Sequence, residues 1–274
     1  MAPPLIRRLC LGPLSLAGRH RWIAVAAVLA LTATTQVGLV LWPVFGAFRG
    51  PRAWLRGVAL GVAVYALTSA LVVPPIAAAF GRVPLPCASG TLRPRSWVFC
   101  AANRRYVVPE LRAAVVEIAD TVAAGSAGTH VSYLDGAFPF RGVPLLPHLS
   151  HGDGRKLDLA LFYVDREGHP LEVGGSPLGY FGYVQPPRPR DAACPERWFD
   201  LRWDLSVLQP WLMPDALDRV RTRRLLAAAL RHPAIDRGLI EPHLQRTLGV
   251  RSPRLRFQGC RAARHDDHVH LQLR

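Results

Sequence analysis

The first 83 residues contain eight arginines, no lysine and no acidic residue, and two long uncharged apolar runs occupy 22–48 and 57–80. A helix of about 20 apolar residues spans the ~30 Å hydrocarbon core of a bilayer. The run 22–48 is long enough to cross as a helix and too long for the apolar segment of a signal peptide, and no small-x-small cleavage site closes it. In the second run, 57–73 makes a marginal span ahead of Pro74-Pro75, a pair expected to kink or stop a helix. This divides the chain into a membrane region, 1–83, with a span over 22–48 and a second apolar run over 57–80, and a globular domain, 84–274. Arg7, Arg8, Arg19 and Arg21 precede the first run and Arg82, Arg93 and Arg95 follow the second, so two full spans would leave both ends in the cytoplasm. One crossing with the N-terminus inside, the second run being re-entrant or lying at the outer interface, would place the domain outside.

All 19 acidic residues lie in 84–274, against 26 basic ones, so only that part can do acid–base or metal chemistry. Half the chain is hydrophobic and 19% is charged, which excludes a disordered chain, a collagen-like fibre and a coiled coil. The net charge of +15 comes from 33 Arg and one Lys, with no dense basic run and no zinc-finger or RNA-binding signature. That points away from nucleic acid and suits an anionic polymer or lipid head groups. Of the five cysteines, Cys87, Cys100, Cys194 and Cys260 fall after residue 83, and none forms a Cys-x-x-Cys pair. Outside the cytoplasm they can form two disulfides, among them the pairing Cys87–Cys100 with Cys194–Cys260. Three connectivities are open, as is the alternative of four reduced thiols.

In the globular part, 109–124 predicts an amphipathic helix with proline in its first turn. Strands are expected at 129–134, 157–164, 254–258 and 268–273, and helices at 214–230, with Asp215 and Asp218 at its start, and at 238–248. Helices and strands mix without a βαβ repeat or a glycine-rich phosphate loop, which predicts an α+β fold, an antiparallel sheet with flanking helices. The Gly- and Pro-rich stretch 174–195 reads as a long surface excursion.

Two segments concentrate chemistry: 147–158, PHLSHGDGRKLD, and 264–271, RHDDHVHL, which together hold five of the ten histidines. His268 and His270 are two apart at the start of a predicted strand, so their imidazoles share one face. A glycine-containing loop separates His151 from Asp158 and lets both converge on one ion. Imidazole nitrogen and carboxylate oxygen are ordinary zinc donors, and three protein ligands leave a position open for water. By spacing alone, a strand end with two exposed histidines and an ordinary loop histidine explain the same residues.

The stretch His151-Gly152-Asp153-Gly154-Arg155-Lys156-Leu157-Asp158 resembles the H-x-x-G-x-x-x-D pattern of the metallopeptidases that group lysostaphin-type enzymes, D-Ala-D-Ala peptidases and the hedgehog signalling domain. The ending His265-Asp266-Asp267-His268-Val269-His270 is similar to the H-D-D-H-x-H segment of penicillin-insensitive murein endopeptidases in that group. The likeness covers about 20 residues and not the membrane region, so it implies a divergent, membrane-anchored relative. It implies the hedgehog/D-Ala-D-Ala peptidase-like α+β fold and Zn2+ held by His151, Asp158 and His270. It also implies His268 as the base on the attacking water and His265 as a stabiliser of the oxyanion. The activity implied is hydrolysis of amide bonds in peptidoglycan peptides, by a D,D- or L,D-endopeptidase or carboxypeptidase, at a bacterial cytoplasmic membrane with the domain facing the periplasm or outside. A non-catalytic zinc-containing wall-binding module of the same fold is the alternative.

Around this set, Asp266 or Asp267 could orient a ligand histidine, Asp135 could border the cleft or cap a turn, and Ser150 could touch substrate. Arg104, Arg105 and Arg155 could pair with a peptide carboxylate, though a solvated surface is their ordinary place. Glu241 reads as a helix-dipole partner. His148, His169, His232 and His243 lack spacing partners and are expected to be structural, and Trp198, Trp203 and Trp211 are expected to pack in the core rather than wall a groove.

Overall fold

A computed structural model of the chain describes residues 4–16, 18–47, 51–142, 145, 148–172, 174–195 and 215–274. The strands among them are β1 (Val83–Pro84), β2 (Leu92–Pro94), β3 (Tyr106–Val107), β4 (Val131–Tyr133), β5 (Lys156–Ala160), β6 (Tyr163–Val164), β7 (Ala216–Leu217), β8 (Ile235–Leu239), β9 (Leu255–Arg256) and β10 (His268–Leu273). The helices are α1 (Pro4–Leu11), α2 (Gly18–Thr35), α3 (Trp42–Ala47), α4 (Pro51–Leu67), α5 (Val73–Ala79), α6 (Trp97–Ala101), α7 (Pro109–Ala124), α8 (Arg219–Arg231) and α9 (Pro242–Leu248). Trp198, Trp203 and Trp211 lie outside the described residues.

Six strands form the main sheet in the order β2-β4-β5-β10-β8-β9. Its centre is antiparallel, β10 lying between β5 and β8, but β2–β4 and β8–β9 pair in parallel at the two edges. The architecture is therefore α+β with a mixed sheet rather than a purely antiparallel one. Helix α7 buries Leu111, Ala114, Val115, Ile118, Ala119 and Val122, the 3–4 spacing of one face, and packs with α8 in the same core as Leu157, Leu159, Val269, Leu271 and Leu273. Burying each of the larger of these side chains is worth about 1.5–3 kcal/mol. Asp218 caps α8 by accepting from the Val220 and Arg221 N–H groups, which starts that helix at Arg219 rather than at 214. The stretch 238–248 divides likewise: strand β8 runs to Leu239, and Pro242, lacking an N–H, opens α9. The strand expected over 157–164 is interrupted between β5 and β6.

The apolar run 22–48 is not one helix. It breaks after Thr35, where Gln36 takes φ +60°, and continues as a 3-10 turn (Gly38–Leu41) and α3. Hydroxyls of Thr32, Thr34 and Thr35 bond back to carbonyls four residues earlier, a pattern that bends helices. The Gln36 side chain exchanges two hydrogen bonds with the Phe140 main chain, Nε2 to O at 3.1 Å and Oε1 from N at 2.8 Å. The second run behaves in the opposite way: α4 passes through a π-helical turn, Thr68–Val72, into α5, and Pro74-Pro75 does not stop it. The π turn rearranges the hydrogen-bond ladder just where the prolines remove donors. Among the described residues one helix, Leu55–Ala79, is long and apolar enough to cross a membrane, and the pair Leu5–Ser15 and His20–Thr35 is so only if taken together across an 86° bend. Two disulfides, Cys87–Cys100 and Cys194–Cys260, tie the globular part, and Cys10 is free and exposed.

Candidate metal centre

Strand alternation builds the first half of the site. Val269, Leu271 and Leu273 enter the core, so His268 and His270 face the other side of β10. Antiparallel register sets His270 opposite Asp158 on β5, and the side chains meet, His270 Nδ1 to Asp158 Oδ1 at 2.8 Å. His151 comes from a 3-10 turn, Leu149–Asp153, closed by Gly154 at φ +74°. Glycine suits that backbone, where a side chain would be strained. His151 Nδ1 lies 2.7 Å from the Gly136 carbonyl oxygen, which can only accept, so Nδ1 holds the proton and Nε2 presents its lone pair. That Nε2 stands 3.2 Å from His270 Nδ1 and 3.4 Å from Asp158 Oδ1.

Three donor atoms thus form a triangle with sides of 2.8, 3.2 and 3.4 Å. Donors gripping one ion tetrahedrally at ~2 Å lie ~3.3 Å apart, so the triangle and its N, N, O composition fit a zinc ion. His151, Asp158 and His270 are all buried, at 1, 0 and 4% exposure. His148 joins this group. Its donor atom lies with those of His151 and Asp158 within 4.8 Å of one another, close enough to share a metal. His148 Nδ1 is 3.1 Å from Asp158 Oδ2 and 3.3 Å from Asp135 Oδ2, so it is not the merely structural residue its spacing suggested.

A buried polar network surrounds the triangle. Tyr180 Oη donates to Asp158 Oδ2 at 2.7 Å and accepts from the Asp135 N–H. Arg104 forks onto both oxygens of Asp135 at 2.6 and 2.7 Å. The stretch 174–195 is therefore no simple surface excursion, since Tyr180 and Tyr183 are buried. Burial pushes the Asp135 carboxyl up, but Arg104 and His148 prevail and hold it below the usual range. Burial likewise opposes ionisation of Asp158, yet the His151 and His268 imidazoles keep it well below that range. His148 is pushed up to about 10 by Asp135 and Asp158 against its own burial. His270 is pulled down to about 4 by burial, with Asp158 opposing.

His268 and His265 lie beside the triangle. Asp267 Oδ1 accepts from His268 Nδ1, which turns Nε2 toward the site, 3.6 Å from Asp158 Oδ2. Asp267 is itself fixed by the Phe181 N–H, 2.6 Å from Oδ2, at a residue held at φ +67°. Burial works against charge on His268, but Asp158 and Asp267 raise its pKa. The His265 ring centroid is 4.7 Å from that of His268 and 5.6 Å from that of His270. Burial, reinforced by these two rings, drives His265 well below the usual imidazole range, and its buried Nδ1 has no hydrogen-bond partner among the described residues.

Of the two acidic residues between them, Asp267 orients a histidine and Asp266 instead receives the Arg264 fork. Asp135 borders the centre. Ser150 is exposed, Arg105 donates to the Leu85 carbonyl, and Glu241 is buried at the start of α9, accepting from Gln258 at 2.6 Å. His169 meets Asp165, His232 meets Glu117, and His243 donates to the Val184 carbonyl. Tyr180 carried no signal beyond its place in a Gly- and Pro-rich stretch. No protein-family model and no curated protein sequence matches this chain.

Proposed function

We propose that this chain is a zinc-dependent peptidase acting on amide bonds of peptidoglycan peptides, held at a bacterial cytoplasmic membrane by its N-terminal region with the site facing the periplasm. The reading rests above all on one juxtaposition: three donor atoms in a zinc-sized triangle, with an imidazole oriented by a carboxylate immediately beside them. The two disulfides suit an oxidising compartment.

His151 through Nε2, Asp158 through Oδ1 and His270 through Nδ1 would hold the ion. Zinc bound there would supply Lewis-acid polarisation of the scissile carbonyl and a water acidic enough to attack near neutral pH. His268 Nε2 receives the proton of the attacking water and returns it to the amide nitrogen as the C–N bond breaks. Asp267 keeps Nδ1–H of that ring in place and favours the imidazolium between the two transfers. His265 stays neutral and offers a buried ring N–H to the oxygen that gains charge.

Metal analysis of the purified full chain, joined to mass spectrometry of digested muropeptides, tests the reading. We expect one zinc per chain and cleaved peptides, loss of zinc in His270→Ala, and retained zinc with no cleavage in His268→Ala. One feature favours the wall-binding alternative: His265, His268 and His270 are each no more than 7% exposed, so access to the site is narrow. Zinc binding without cleavage of any muropeptide in the unaltered chain would establish that alternative instead.

A further inference from the structure

Helix Leu55–Ala79 buries one stripe at four-residue steps, Gly61, Ser69, Val73 and Ala77, with Tyr65 half-buried in the same row. Protein covers that stripe. A Cβ at Gly61 would meet Leu41 and Val44. Tyr65 Oη donates to the Ala101 carbonyl at 2.6 Å, and Asn103 Nδ2 donates to Tyr65 Oη at 3.2 Å and to Ser69 Oγ at 3.1 Å. Val73 and Ala77 pack with Val37 and Tyr106. From Tyr65 to Ala77 the globular domain lies alongside about 18 Å of helix at 1.5 Å per residue. That is more than half of the ~30 Å hydrocarbon core. A helix crossing the bilayer in this docked state would carry 101–106, with Arg104 and Arg105, to the depth of the hydrocarbon, where charged and polar groups are unfavourable.

The remaining sides of the helix expose Leu55, Leu60, Val62, Leu67 and Leu71. The first 83 residues supply eight arginines and no counter-charge, with Arg7, Arg8 and Arg56 exposed. Trp97, 75% exposed, sits on α6, the helix whose last residue accepts the Tyr65 hydrogen bond. Exposed leucines, an interfacial type of aromatic and unopposed arginine together match the boundary between acyl chains and anionic head groups.

We propose that Leu55–Ala79 lies in the plane of an anionic phospholipid bilayer, its exposed apolar sides sunk at the headgroup–acyl boundary, and that the globular domain rests on this surface instead of hanging from a crossing helix. The proposal deepens the membrane attachment stated above and does not depend on hydrolysis. Its test is nitroxide depth measurement on the full chain in vesicles of phosphatidylcholine and phosphatidylglycerol, with labels on one exposed side of the helix at Leu60→Cys, Leu67→Cys and Leu71→Cys in a Cys10→Ala background. Leu60 and Leu71 are about 16 Å apart along the helix axis. Equal, shallow depths about 5–10 Å below the head groups at all three positions are expected. Depths that change along the helix and pass through the midplane would overturn the in-plane arrangement while leaving membrane attachment intact. Water accessibility at all three would overturn both, whatever the muropeptide assay reads.

Discussion

Asp267 divides its carboxylate between the His268 ring and the Phe181 N–H, so its removal acts on the imidazole and not on the three atoms of His151, Asp158 and His270 proposed to hold the ion. Asp267→Asn is expected to lower the hydrolytic rate about 10–100-fold, the usual cost of losing an outer carboxylate, while zinc content stays at one per chain. Zinc by mass spectrometry and muropeptide turnover measured on one preparation check this. Arg104 belongs to the scaffold instead. Asp135 is 1% exposed, and Arg104→Met would leave its charge buried without the fork, costing about 3–5 kcal/mol. Urea unfolding should recover most of that loss in the double variant Arg104→Met/Asp135→Asn, because the charge is then gone as well. These residues also show what sequence can and cannot reveal. His268 and His270 were legible because alternation along a strand is local and fixed. His148 and Tyr180 were not, since each reaches Asp158 from a loop whose path depends on distant contacts, and Asp135 was legible only as one of two readings, a cleft border or a turn cap.

Among the elements, the turn that carries His151 is held from outside itself. Arg82, three residues beyond α5 and 1% exposed, donates to the Phe138 and Gly152 carbonyls, and Gly152 adjoins His151. Arg82→Met should weaken zinc binding by about 10–100-fold, and Arg82→Lys should restore part of it. Zinc titration against a competing chelator reads both, and circular dichroism reports whether the fold is kept. Helix α9 gives a pH prediction away from the metal. Burial pulls His243 below the usual imidazole value, although the Val184 carbonyl it donates to favours the proton. The unfolded chain takes up a proton near pH 6.5, whereas the folded one resists it. Stability from this group is therefore complete above that pH and lost as pH falls below it. His243→Gln keeps a donor and cannot titrate, so its urea midpoint should fall less than that of the unaltered chain from about pH 7.5 to about pH 5.5. Proline marks a boundary in one setting and not in the other, against the expectation at both places: a helix was expected from 238, and a stop at 74–75. Pro242 opened α9, but Pro74-Pro75 was absorbed by a π turn that no local pattern announces.

At the scale of the whole molecule, the N-terminal apolar region and the globular domain are one packed body. Gln36 bonds to Phe140, Tyr65 to Ala101, and β1 follows α5 directly to pair with β3. The sequence division at residue 83 marks a change in composition and not a gap in packing, because polar side chains inside apolar runs, Gln36, Tyr65 and Ser69, carry the contacts. The disulfides differ in what they constrain. Cys87–Cys100 closes 13 residues and Cys194–Cys260 closes 66, a segment that includes α8, β8 and α9. Loop-closure entropy gives about 3 kcal/mol for the first and about 4 kcal/mol for the second. The double change Cys194→Ala/Cys260→Ala should therefore lower the urea midpoint more than Cys87→Ala/Cys100→Ala. It should also loosen the site, because the Asp266–Asp267–His268 segment follows Cys260 closely while Phe181, which anchors Asp267, precedes Cys194. Cys87 instead precedes α6 and Cys100 lies in it, with Cys100 Sγ 3.4 Å from Tyr133 Oη on β4, a strand separated from β10 by β5. Comparing unfolding with zinc affinity in the two variants separates these roles. A larger loss of both on removing the Cys194–Cys260 bridge is expected, and equal effects in the two variants would show that neither loop length nor the position of the bridge governs these properties.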